Sequence, residues 1–160
     1  MPSRAALALA LVLTGPAGAR CEVIERILAV VDRRPVLLSE VVAMGRLKGL
    51  GEAAALEATL DEILMYQEAS RLPQASLSSE EEERAYRSLA ERGVSLGITE
   101  SEMRRLARRQ SAILKYVDFR FRPQVRETDE GLAERAVSEK IEAWIADLRS
   151  AAEIRYNRTP

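Results

Sequence analysis

Between Glu22 and Val41 the chain reads EVIERILAVVDRRPVLLSEV, and this stretch restricts the fold more than any other. Val23, Ile24, Ile27, Val30 and Val31 are β-branched and suit a strand. Asp32-Arg33-Arg34-Pro35 interrupts them, and Pro35 fixes its own φ and disfavours a helical Arg34. Val36-Leu37-Leu38 resumes as a short strand, after which Ser39 is placed to cap a helix with Glu40 in its first turn. A hairpin alone is marginal in water, so another segment must cover it. Ala152 to Tyr156, which alternates apolar and polar, is the candidate. Everything between these two ends reads as helix. The expected fold is mainly α, with a small β-sheet formed by the N-terminal hairpin and the C-terminal strand.

Residues 1–19 read as a signal peptide. Arg4 supplies a short basic region, Ala5 to Thr14 an apolar run, and Ala17-Gly18-Ala19 a cleavage site. A run of ten residues is too short for a bilayer span, which takes ~20. Cleavage after Ala19 implies export and a single domain over 20–160. Without Arg4 the charge is 23 basic minus 25 acidic residues, or −2, which gives no reason to expect a nucleic-acid partner. Cys21 has no internal disulfide partner, so the fold rests on its hydrophobic core.

Ser39 to Lys48 is the first expected helix, ended by Gly49 and Gly51. A second runs from about Glu52 to Arg71, with Leu56, Leu60, Ile63 and Leu64 on its apolar face and Glu57, Asp61 and Glu62 outside. Ser79 and Glu82 have capping-box spacing for a third helix, and Gly93 is its expected stop. Glu80 to Glu83 sit where the helix dipole favours negative charge, which accounts for them without a metal. The clearest start signal is Thr99 with Glu102, flanked by the staple pair Ile98 and Met103. This fourth helix runs to Arg122-Pro123. From Arg104 to Arg126 the chain carries eight basic residues against one acid, Asp118; the acidic second and third helices are the expected partners of that basic face, with a charged rim to a binding surface as the alternative. The last helix starts at Thr128-Asp129-Glu130 and has an apolar stripe of Val137, Ile141, Trp144, Ile145 and Leu148, with Trp144 expected in the core.

The chain has no histidine, no Cys-His pair and no glycine-rich phosphate loop, so no catalytic group, metal or cofactor is expected. A binding protein is the expectation, not an enzyme.

These pieces resemble the N-terminal module of the SurA-type periplasmic chaperones. ILAVVDRRPVLLSEV resembles that family's entry hairpin and first helix, and LDEILMYQEASRL its second. LGITESEMRRLARRQSAILKYVDFRFRP resembles the paired helices before the isomerase insert, and SEKIEAWIADLRSAAEIRY the closing helix and strand. The parvulin-type prolyl isomerase domain that the family carries there is missing, since only Gln124 to about Ser138 separates the two pieces. The resemblance therefore implies the chaperone core without isomerase activity. It implies ATP-independent binding of unfolded outer-membrane or exported polypeptides, with no stable membrane insertion. Adaptable apolar residues on the Gly-flanked first helix, Met44, Leu47 and Leu50, are the candidate peptide contacts on physical grounds, with ordinary core packing as their alternative. The other functional reading is a non-catalytic envelope adaptor that binds one folded partner.

Overall fold

The computed structural model describes residues 25–126 and 129–157. The expected leader at 1–19, Cys21, Val23 and Ile24 lie outside these residues, as do Thr128 and the last three positions. Among the described residues there are three strands and five α-helices: β1 (Ile27–Val31), β2 (Arg34–Leu37), α1 (Leu38–Lys48), α2 (Glu52–Ala69), α3 (Ser79–Ser95), α4 (Glu100–Arg120), α5 (Glu130–Ala151) and β3 (Ile154–Tyr156). The fold is mainly α with one small antiparallel sheet, as the sequence predicts.

The sheet order is β2-β1-β3. Val31 lies opposite Arg34 on one side and Ile154 on the other, so the two ends of the domain meet on β1. The turn is tighter than expected. Only Asp32 and Arg33 form it, with Asp32 in the left-handed region at φ 54°, which Asp tolerates better than most residues. The Asp32 carboxylate accepts the Glu153 N–H at 3.0 Å, and the Asp32 N–H donates to the Glu153 carbonyl at 2.8 Å. Pro35 is therefore not in the turn but in β2, an edge strand, where its missing N–H removes no central ladder bond.

Ser39 does not cap α1. The helix starts one residue earlier, and Leu37, at the cap position, has no side-chain acceptor. The Glu40 carboxylate accepts the Leu37 N–H instead, at 3.3 Å. Gly49 ends α1 in the left-handed conformation at φ 66°. The box opening α3 is Ser78 with Glu81, one residue before the expected pair, because Lys115 Nζ anchors Glu81 at 3.0 Å while Glu82 is held by Arg108. Gly93 is not the stop of α3 either. It is buried inside the helix under Met103, where a Cβ would come within 2.1 Å of the Met103 sulfur, and the left-handed turn falls at Gly97. Thr99 and Glu102 form the expected box on α4, and Ile98 and Met103 share one core cluster.

The core has three parts. Leu28, Val31, Val36, Leu60 and Ile63 join the sheet to α2. Met44, Leu89, Met103 and Leu106 join α1, α3 and α4. Tyr116, Phe121 and Trp144 form an aromatic group, with Trp144 stacked on Tyr116 at 4.6 Å between ring centroids. Trp144 thus packs internally, as its stripe position predicts.

Candidate functional site

The basic face of α4 is mostly matched within the domain. Arg104 meets Glu83 at 3.0 Å and Glu100 at 2.9 Å, Arg108 meets Glu82 at 2.7 Å, and Lys115 meets Glu81. Glu81 accepts the Ser78 N–H and then the Lys115 ammonium, which together hold its carboxyl down at about 2. Arg149 of α5 is clamped by Asp61 and Glu57 of α2, which fixes α5 along α2.

Two charged residues assigned by sequence to outer faces are buried. Arg109 and Glu62 are each about 5% exposed, as is Glu40. Arg109 donates to Glu40 Oε1 at 2.7 Å and to Glu62 Oε1 at 2.8 Å. Arg34 donates to the same Glu40 oxygen at 2.9 Å, and Gln110 Nε2 to Glu62 Oε2 at 3.1 Å. Burial pulls the Arg109 pKa down, but Glu62 and Glu40 outweigh it and hold the pKa above its ordinary value. The sequence carried a signal for this. Arg109 lies three residues after Leu106 and seven before Tyr116, on the buried stripe of α4.

Beside this network the helices separate. α5 runs close to α2 but meets α4 through side chains near the C-terminal end of α4. The gap is a groove of about 650 Å³. One wall is Ile113, Leu114 and Val117 of α4, and the facing wall is Val137, Ile141 and Ile145 of α5. Met65 and Ala58 of α2 add apolar surface between them. Of the apolar α5 residues here only Val137 is buried; Ile141 and Ile145 are partly buried, and Leu114 is 55% exposed. The rim is charged. Lys48 and Arg92, from the C-terminal ends of α1 and α3, make no ion pair among the described residues. Arg122 is held by Glu134 at 2.7 Å and by Asp118, contacts that raise its pKa.

The three sequence-chosen contacts do not form one surface. Met44 is fully buried under α3 and α4 and belongs to the core. Leu50 is 37% exposed but lies beyond the left-handed turn at Gly49 and does not line the groove. Leu47 alone reaches it. The groove is built instead from apolar positions on α4 and α5 that periodicity alone assigns to the core. A stripe pattern does not reveal that two stripes face each other across a gap.

Chemically, the lining suits binding of an apolar chain. Among the described residues its acids Asp61, Glu62 and Glu134 are all engaged by arginines, and Ser138 is its only hydroxyl. Among the described residues no helix is long and apolar enough to cross a membrane. Compared with known proteins, the chain matches no protein-family model and no curated sequence.

Proposed function

We propose that this domain holds unfolded polypeptide segments without ATP, with the groove between α4 and α5 as the binding surface. The observation that carries the reading is the groove itself: an open channel with apolar walls from three helices, lined by partly buried Ile and Met side chains and the exposed Leu114. Its volume of about 650 Å³ accommodates several side chains of an extended segment. Ile, Leu and Met walls discriminate little between apolar side chains, and flexible Met65 repacks readily. The chaperone-like pieces of the sequence and the leader at 1–19 support exported or outer-membrane polypeptides as the clients. Material from the cell envelope should then begin at Arg20.

The test is light scattering from a denatured outer-membrane β-barrel protein diluted into buffer. The parent domain should delay aggregation at several-fold excess. Leu114→Ser with Ile141→Ser, which removes one contact from each wall, should weaken client binding roughly tenfold. Failure of the parent to delay aggregation sinks the reading. Tight binding of one folded partner with no effect on denatured protein would identify an adaptor instead.

A further inference from the structure

On the other side of α4 lies a second cavity, of about 330 Å³. Arg104, Arg105 and Arg108 of α4, Arg34 of β2, and Tyr66 and Tyr86 of α2 and α3 line it. Arg109 forms part of its floor and Glu82 part of its wall. We propose that this cavity is a binding site for a singly charged carboxylate.

The first argument is the chemistry of the lining. Apart from Glu82, which Arg108 already engages at 2.7 Å, every charged or phenolic group facing the cavity can donate a hydrogen bond. The hydroxyls of Tyr66 and Tyr86 have no hydrogen-bond partner among the described residues. Tyr86 is held in place by the Arg104 guanidinium, 4.0 Å above its ring centre. A lining of convergent donors fits an acceptor-only ligand, and the planar guanidinium fork matches a carboxylate in both shape and charge.

The second argument is charge. Arg34 and Arg109 are balanced by Glu40 and Glu62, and Arg108 by Glu82. Arg104 and Arg87 are balanced by Glu83 and Glu100. Arg105 is left over: it is exposed, and among the described residues it has no ion pair. One unmatched cation calls for one negative charge, so a monoanionic carboxylate fits better than a phosphate dianion. The source is either a free small carboxylic acid or the carboxyl terminus of a polypeptide. The site is separate from the apolar groove and stands whether or not that groove binds unfolded chains.

The experiment is a nuclear magnetic resonance titration of the folded domain, following backbone amides of α4 and the arginine Nε–H signals. The probes are N-acetyl-Ala-Ala with a free carboxylate, the same dipeptide as its amide, propionate, and inorganic phosphate. The free dipeptide acid should bind with Kd on the order of 1 mM and shift signals around Arg105. The amide should bind at least roughly tenfold more weakly. Arg105→Gln should weaken the acid roughly tenfold while leaving the melting temperature unchanged, because Arg105 is exposed and has no ion pair among the described residues. Equal affinity for propionate identifies a free acid as the ligand, and several-fold tighter binding of the dipeptide identifies a chain terminus. Equal binding of acid and amide, tighter binding of phosphate than of either acid, no binding at all, or an unaffected Arg105→Gln would each overturn the proposal.

Discussion

Replacing Arg109 by methionine leaves the aliphatic bulk in place and removes one of two cations from a buried group of four charges. Arg34 and Arg109 face Glu40 and Glu62, and three of these side chains are about 5% exposed. After the change Arg34 still pairs with Glu40 at 2.9 Å, but Glu62 keeps only the Gln110 amide at 3.1 Å. One buried carboxylate is then uncompensated. Breaking a buried pair in this way costs about 3–5 kcal/mol. Unfolding entropy of about 2.1 cal/mol/K per residue gives roughly 0.3 kcal/mol/K for the roughly 130 described residues. The melting temperature should therefore fall by about 10–17 °C. The sharper comparison is Arg109→Met with Glu62→Met, which restores the balance by leaving Arg34 with Glu40 alone. That double variant should lie within about 1–2 kcal/mol of the parent, since apolar replacement of a whole buried pair is close to neutral. Urea unfolding followed by circular dichroism and Trp144 fluorescence reads both numbers, and an unchanged m value confirms that stability alone has moved. A single variant that loses less than about 1 kcal/mol, or a double variant as unstable as the single, would refute the electrostatic account.

Two further outcomes follow from the ends and the surface of the domain. Ending the chain after Ser150 removes β3, its pairing along β1 and the packing of Ile154 on the sheet core, and should cost about 2–4 kcal/mol; an unchanged melting curve would show that β3 adds nothing to closure. Glu81 titrates at about 2 in the folded domain against an ordinary 4.5, chiefly through the Ser78 N–H and then Lys115. Its contribution is therefore fully present above pH 4.5 and lost as the pH falls through about 2, because the unfolded chain takes up the proton first. The stability gap between the parent and Glu81→Gln should narrow over that range, and a gap that stays constant with pH would contradict the assignment.

The sheet, the five helices and the meeting of the chain ends were legible because each rests on a local signal. β-branched runs marked the strands, Gly49 a left-handed turn, and Thr99 with Glu102 a box whose partners are three residues apart. The errors fall where two local signals competed. Ser78 and Ser79 each have a glutamate three residues on, and only the distant Lys115 and Arg108 decide which one caps. Gly93 was the expected stop, but contact with Met103 from another helix keeps it inside α3, and the left-handed turn falls at Gly97. The site was the least legible part. Met44 has the adaptable chemistry of a contact residue, yet packing against Leu89 and Leu106 buries it. Ile113 and Ile141 look like ordinary core, and only the spacing of α4 from α5 leaves them open to a groove.

The same spacing makes α4 a partition with a different chemistry on each side. Ile113, Leu114 and Val117 face the apolar groove, while Arg104, Arg105 and Arg108 face the donor-lined cavity roughly opposite around the helix. Turning α4 about its axis would put arginines into the groove and isoleucine into the cavity, so both surfaces depend on one rotational setting. Nonspecific apolar packing is a weak selector of that setting, because it is non-directional. The buried network is directional. Arg109 must reach Glu40 of α1 and Glu62 of α2 together, and Gln110 must reach the second oxygen of the same Glu62. A rotation of one residue, about 100°, breaks all three contacts and leaves buried charge behind. The double methionine variant separates these two roles. It should retain most of the stability while loosening the setting of α4, which would appear as broadened amide signals along Ile113 to Val117 in a domain that still unfolds cooperatively. Signals as sharp as those of the parent would mean that packing alone sets the helix.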